Sequence, residues 1–313
     1  MVYLGVDIGG TSVKMGLVED GEILKRTTFK TSKDAEQTID KIVEAMEELK
    51  REANVSEIGG IGVGCPGAIN SKKGTVDMAY NLGWENVPLK QMLEEKTNIE
   101  TRISNDANVA GLGESIYGEG KDCKDVIVIT LGTGVGGAII IDGKLYEGNQ
   151  GKGAELGHTM LIKNGRKCTC GRRGCAETYV SASRFLKEAR SYALKSDSIL
   201  SKKVVNNDKH SIKCEAVYES ADNGDIGAKK IVDKYIENLG EFMMDICNIF
   251  RPEMIIIGGG MSYSGDRFLS KIVNYCKDRN YGFEHTPAVD IRLAKLKNDA
   301  GLIGGACLFI QNK

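Results

Sequence analysis

His158, Cys168, Cys170 and Cys175 crowd into the run GHTMLIKNGRKCTCGRRGC. One imidazole and three thiolates are the donor set of a tetrahedral zinc. A disulfide is the rival chemistry, but Cys168 and Cys170 are too close in sequence to pair comfortably, and joining them would leave Cys175 alone. Gly165, Gly171 and Gly174 supply the bends that four converging ligands need, and Arg166, Lys167, Arg172 and Arg173 offset the charge of three thiolates. The run reads as a structural zinc loop. The other six cysteines are scattered, as small core or surface residues would be.

A second chemistry lies in three glycine turns, each following an apolar run: Asp7-Ile8-Gly9-Gly10-Thr11, Gly132-Thr133-Gly134 and Gly258-Gly259-Gly260. Glycine lets successive backbone N–H groups face a phosphate with no side chain in the way. A threonine hydroxyl adds a donor. Asp7 would repel phosphate, so its role in a nucleotide site is to hold Mg²⁺ or its water shell. Lys14 is either a counter-charge for phosphate or a solvated hairpin lysine. The segment Ser104-Asn105-Asp106-Ala107-Asn108 admits two readings: Asp106 as a helix cap, the commoner role, or as a general base in phosphoryl transfer.

The elements that must hold these residues are legible in outline. Val2–Asp7 reads as a buried strand, Ser12–Val18 as a second, and Glu22–Phe29 as a third, returned by the Asp20-Gly21 turn. Ala35, Ile39, Ile42, Val43, Met46 and Leu49 have helical spacing across 34–53. Ile58–Val63 reads as a short strand followed by a glycine-proline loop, GVGCPGAIN. Asn105–Gly113 begins a helix. The opening pattern then recurs: VDIGGTSVKMGLVEDGEIL resembles VITLGTGVGGAIIIDGKLY, with Asp7 and Gly9 opposite Thr130 and Gly132. A strand–glycine turn–strand–Asp-Gly unit used twice implies a duplicated α/β domain. Further on, 230–250 carries a long apolar stripe, Met254–Ile257 is a buried strand, and 299–309 is a glycine-studded helix. Residues 196–228 read as a polar surface excursion.

Composition narrows the function classes. The chain has 313 residues, room for two domains. A formal net charge of −1 gives no electrostatic case for nucleic acid or an anionic membrane. The start, MVYLGVDIGG, lacks a signal-peptide pattern, and no apolar run approaches a membrane span. A reducing cytoplasm is the expected compartment, where stable disulfides are rare.

The motifs DIGGTSVKMGLV, GCPGAI followed by NLGW, NDANVAGLGE, LGTGVGGAII, GAELGH and CTCGRRGCAETYVS together resemble the ROK family of sugar kinases, and within it the bacterial ATP-dependent glucokinases. The likeness runs from Val2 to the last helix. It implies a duplicated RNase H-like fold of the actin and hexokinase superfamily, with two domains around a cleft: 1–111 plus 299–313, and 112–298. It also implies that Asp106 is the catalytic base toward a sugar 6-hydroxyl. Gly67, Asn81, Asn105, Asp106, Glu155, His158 and Glu177 fall on sugar-contact positions. Asp7, Gly9, Gly10, Thr11, Lys14, Thr133, Gly134, Gly258 and Gly259 fall where ATP and Mg²⁺ are handled. His158, Cys168, Cys170 and Cys175 fall on zinc ligands, so His158 serves both metal and sugar. A homodimer or homotetramer is the implied assembly.

Three residues depart from the family pattern: Ser104 stands where an acid is common, Gly111 where a small alanine is, and Cys65 precedes Pro66. Glu114 reads as a solvated helix residue. Glucose is the expected hexose, favoured by NLGW and the Glu155/Glu177 pair; mannose, N-acetylmannosamine, fructose and allose are the alternatives. A sugar-responsive repressor of the same family is the competing class. Such relatives carry a helix-turn-helix domain ahead of the first glycine turn; here the first strand is expected to begin at Val2, leaving no room for one, and the chain is not basic.

Overall fold

The structure, a computed structural model, describes residues 1–206 and 208–311. β1 (Tyr3–Ile8), β2 (Ser12–Glu19) and β3 (Glu22–Lys30) form an antiparallel meander. Its second turn has positive φ at both Asp20 (48°) and Gly21 (82°), the conformation that follows the twist of the flanking strands. α1 (Ala35–Ala53) starts where the Asp34 side chain accepts the N–H groups of Glu36 and Gln37, and it buries Ile39, Ile42, Met46 and Leu49. β4 (Ile61–Cys65) follows. β5 (Ala68–Asn70), β6 (Thr75–Ala79) and β7 (Trp84–Val87) make a separate small sheet, and α2 (Leu89–Thr97) leads to β8 (Thr101–Asn105) and α3 (Asp106–Ile116). β4 and β8 add in parallel to β1, giving the order β3-β2-β1-β4-β8.

The second half repeats the plan. β9 (Val126–Leu131), β10 (Val135–Ile141) and β11 (Lys144–Leu145) are again a meander, turned at Asp142 and Gly143 with φ of 51° and 73°. After them come α4 (Glu177–Val180), α5 (Ala182–Ala193), α6 (Cys214–Asp222) and α7 (Ile226–Phe250). β12 (Met254–Gly258), α8 (Asp266–Cys276), β13 (Asp290–Leu293) and α9 (Ala300–Cys307) close the chain. The sheet order β11-β10-β9-β12-β13 matches that of the first sheet strand for strand. Two mixed five-stranded sheets of one order are the duplicated RNase H-like α/β fold of the actin and hexokinase superfamily.

The chain divides into two compact units. One comprises Met1–Ile127, Gly137–Ala154 and the chain from Lys295 onward; the other comprises Val128–Gly136 and Glu155–Ala294. In the first, α9 lies against β1 and β4 so closely that a methyl group on Gly62 would sit 1.9 Å from the Gly305 carbonyl oxygen. Glycine is required there because backbone meets backbone. Ile303, Ala306 and Cys307 of α9 complete a buried cluster with Tyr3, Val18, Val109 and Leu112. In the second unit α7 buries Tyr235, Leu239, Phe242, Met243 and Ile246, and the Phe185 ring lies 4.7 Å from that of Tyr235 and 5.5 Å from that of Tyr218. No helix among the described residues is long and apolar enough to cross a membrane.

Several expectations need correction. The strand expected from Ile58 begins at Ile61 and runs through Cys65, so much of GVGCPGAIN is strand and only Pro66–Gly67 interrupts it before β5. Gly62 and Gly64 look like loop residues but are the small positions that let α9 and α3 approach β4. The segment 196–228 is not all excursion, because α6 buries Cys214, Val217, Tyr218 and Ala221.

Glu114 is not solvated either. It is 1% exposed, and its carboxylate accepts the backbone N–H groups of Lys295 (3.1 Å), Leu296 (2.7 Å) and Glu119 (3.3 Å). That ties α3 to the segment entering α9. Glu114→Ala is expected to cost about 3 kcal/mol, since buried donors lose their acceptor. A lowered urea midpoint measures it, and an unchanged midpoint would refute the tie.

Candidate active site

The first group of candidate residues stands at the carboxyl ends of the parallel strands β1, β4 and β8, where ligands bind open α/β sheets. The register pairs Asp7 with Gly64 and Cys65 with Asn105, so Asp7, Cys65 and Asp106 come from neighbouring strand ends. Burial pushes the Asp7 carboxyl above the usual carboxylate range, and Lys14 Nζ, 3.6 Å from its Oδ2, opposes the shift. Lys14 is therefore Asp7's ion-pair partner across the β1–β2 ladder. Burial also raises the Cys65 thiol, with Asp106 and then Asp7 adding to the effect. Cys65 stays neutral between two carboxylates.

Asn105 is the cap of α3: its Oδ1 accepts the Ala107 N–H at 2.9 Å, while its Nδ2 donates to the Gly67 carbonyl at 3.2 Å. The capping role considered for Asp106 thus falls to its neighbour. Asp106 is the first helical residue, half-buried, with Oδ1 also 2.9 Å from the Ala107 nitrogen. Asn81 stands exposed in the turn after β6, and a methyl group on Gly10 would lie 3.3 Å from its Cβ. Thr31, an unanticipated member, donates its hydroxyl to the Gly9 carbonyl at 2.7 Å and holds the first glycine turn. Thr11 is exposed at that turn.

The second group is the cysteine loop. The ligating atoms of His158, Cys168, Cys170 and Cys175 all lie within 4.8 Å of one another. His158 Nδ1 is 3.6 Å from Cys168 Sγ, and Cys170 Sγ is 3.6 Å from Cys175 Sγ. A tetrahedral zinc, bonded at about 2.3 Å to sulfur and about 2.1 Å to nitrogen, spaces its ligands by about 3.6 to 3.8 Å. The donor set and its spacing fit the ion.

Local sequence makes the convergence possible. Gly174 has φ of 84° and a methyl there would meet the Ile162 carbonyl oxygen at 1.8 Å, so the chain can double back between Cys170 and Cys175 only through glycine. Arg172 Nη1 donates to the His158 carbonyl at 3.2 Å, and Arg166 bonds the Thr178 carbonyl at 3.0 Å while stacking on Tyr179. The thiols differ. A backbone hydrogen bond from Arg172 pulls exposed Cys170 below the usual thiol range, whereas burial and neighbouring thiols push Cys175 up to about 12. A metal entering the loop must displace the Cys175 proton, so its binding tightens as pH rises.

The loop is flanked by two acids. Glu177 Oε2 accepts the Val135 N–H at 3.1 Å, and its Oε1 lies 3.7 Å from Cys168 Sγ. One side chain thereby touches both the cysteine loop and the strand that follows the second glycine turn. Burial raises the Glu155 carboxyl, with His158 opposing and Glu177 adding.

The second and third glycine turns share a pocket of about 370 Å³ with residues that spacing did not reveal: Gly132, Thr133 and Gly260 line it together with Ser183, Lys213 and Tyr263. Ser183 donates its hydroxyl to the Thr133 carbonyl, fixing the turn. Gly259 has φ of 79°, and Gly258, which ends β12, is buried beside it. Gly134 closes the second turn, its carbonyl taking the Gly132 N–H at 3.0 Å. A larger, open depression of about 760 Å³ beside α5 and the start of α7 holds none of the candidate residues.

The ROK family profile matches residues 3–312. A glucokinase of Halalkalibacterium halodurans is 36% identical over 99% of this chain and 96% of its own length. A xylose repressor of Caldicellulosiruptor bescii is 30% identical over 99% of this chain, which spans 78% of that protein. Among solved structures, a ROK family glucokinase from Streptomyces griseus, in complex with glucose and AMPPNP, superposes with a TM-score of 0.83 at 33% identity, covering 98% of this chain and 99% of its own. Matched along almost its whole length by family profile, relatives and fold alike, the chain belongs to the ROK family.

Proposed function

We propose that this chain transfers the γ-phosphoryl group of ATP to the 6-hydroxyl of glucose, with Asp106 as general base. That it is a sugar kinase follows from its glucokinase relatives and from the glucokinase structure it matches. The proposal concerns the acceptor, the donor and the residues. The observation that carries it is the pair of carboxylates at neighbouring strand ends, Asp7 and Asp106, with neutral Cys65 between them. Asp106, the first residue of the helix that follows β8, is assigned to take the proton; Asp7, held by Lys14, suits a magnesium shell.

In this reading Asp106 accepts the proton of the 6-hydroxyl as the oxygen attacks phosphorus, and the β,γ bridging oxygen of ATP departs with ADP. Mg²⁺ bound near Asp7 neutralises charge on the phosphate oxygens. Gly9, Gly10, Thr11, Thr133, Gly134, Gly258 and Gly259 offer backbone and hydroxyl donors to the phosphates, and the pocket with Lys213 and Tyr263 suits the nucleoside. Asn81, Asn105, the Gly67 carbonyl, Glu155, His158 and Glu177 pair with sugar hydroxyls. Bound zinc would hold His158 and the cysteines in one geometry, so the two acids flanking the loop keep their aim. Such a site rejects an analogue lacking one hydroxyl, because its own buried groups go unpaired.

Nine cysteines, none in a disulfide among the described residues, suit a reducing cytoplasm, and a homodimer or homotetramer is the assembly the family resemblance implies. An ADP-release assay over glucose, mannose, N-acetylmannosamine, fructose and allose tests the acceptor. Glucose should give the highest kcat/KM by at least about tenfold. Turnover of N-acetylmannosamine with none of glucose would replace the proposed substrate, and no turnover of any sugar would favour the repressor class.

A further inference from the structure

Glu147 has no place among the residues assigned above, yet it joins three parts of the first unit. Its Oε1 accepts a short hydrogen bond from Ser104 Oγ and its Oε2 accepts one from Ser71 Oγ at 3.0 Å. Ser104 is 1% exposed and directly precedes Asn105 and Asp106; it also lies 3.4 Å from Asn108 Nδ2. Because Asn108 can only donate there, the Ser104 hydroxyl must spend its proton on Glu147. The bonds therefore run one way, from Asn108 through Ser104 to the carboxylate. Ser71 closes the other end of β5, the strand that starts beside Gly67, whose carbonyl takes the Asn105 amide.

Glu147 itself is well held. Its carbonyl accepts the Gly153 N–H at 2.7 Å, and Lys152 in the same loop pairs with Asp77 of β6 at 2.6 Å. A carboxylate anchored on a cross-linked loop thus grips the segment before the base with one oxygen and the segment after β5 with the other.

We propose that Glu147 is a positioning residue for phosphoryl transfer, a two-armed clamp that sets Asn105 and Asp106 through Ser104. The inference rests on Asp106 being the base. It also explains why position 104 holds a serine: a second carboxylate there would face Glu147 with like charge.

Four variants test the clamp, with kcat and KM for glucose and ATP measured alongside melting temperature. Glu147→Ala should lower kcat by about 10- to 100-fold, the usual cost of a misplaced reacting group, with KM for ATP changed less than about twofold. Glu147→Gln can still accept from Ser104 and donate to Ser71, so it should recover most of the rate. Ser104→Asp should be as impaired as Glu147→Ala. Combining Ser104→Asp with Glu147→Ser swaps acid and hydroxyl across the pair and should restore turnover.

Wild-type kcat in Glu147→Ala would overturn the proposal, as would equal impairment of the Gln and Ala variants or a harmless Ser104→Asp. So would a lower melting temperature with unchanged kinetics, since that is what a purely structural bond would produce. An active Asp106→Asn beside an impaired Glu147→Ala would instead remove the base assignment. An inactive Asp106→Asn with a normal Glu147→Ala would remove the clamp alone.

Discussion

Asp106→Asn should fold, retain its metal and turn over at roughly a thousandth of the parent rate, within the range that removal of a general base costs. The structure makes the variant clean. Asn105, and not Asp106, caps α3, and an asparagine at 106 keeps an oxygen where the aspartate meets the Ala107 N–H. The lost negative charge in the first helical turn is worth about 0.3–1 kcal/mol. A stabilising role for Asp106 therefore leaves turnover almost intact, whereas a base role abolishes it. A kcat above about a tenth of the parent value would eliminate the base.

The second large effect is expected in the cysteine loop. Cys168→Ser should lose zinc, read by metal analysis of the purified protein, and raise the KM for glucose by at least about tenfold, with the KM for ATP less affected. Cys168 is buried against both His158 Nδ1 and Glu177 Oε1, so losing this ligand loosens the histidine and the acid together. The serine is nearly isosteric but does not ionise to a soft donor at neutral pH. Exposed Cys170 touches Cys175 and not Glu177, so Cys170→Ser should lose metal with a smaller change in KM. Parent-level KM in metal-free Cys168→Ser would uncouple the ion from substrate binding.

Much of this arrangement is legible in sequence where one residue type has a single physical use. Asp20-Gly21 and Asp142-Gly143 mark both hairpins because that turn needs positive φ twice. The histidine and three cysteines mark their loop because few other uses exist for that set. What sequence hides is partnership. Glu114 has the pattern of a solvated helix acid, and only the return of the chain at Lys295 buries it. Lys14 as the partner of Asp7, and Ser104 as the partner of Glu147, depend on strand register and on a loop far along the chain. The strands β5 to β7 escape notice because they are short and flanked by the same glycines and prolines that signal loops.

The seat of α9 on bare glycine backbone bears on how the protein is made. A ribosome delivers β1, β4 and α3 long before the residues after Lys295, and the surface that Gly5 and Gly62 leave open cannot be filled by any side chain of its own. The unit holding Glu155–Ala294 is nearly contiguous and can mature during translation. The one holding Asp106 must wait, incomplete, until α9 emerges.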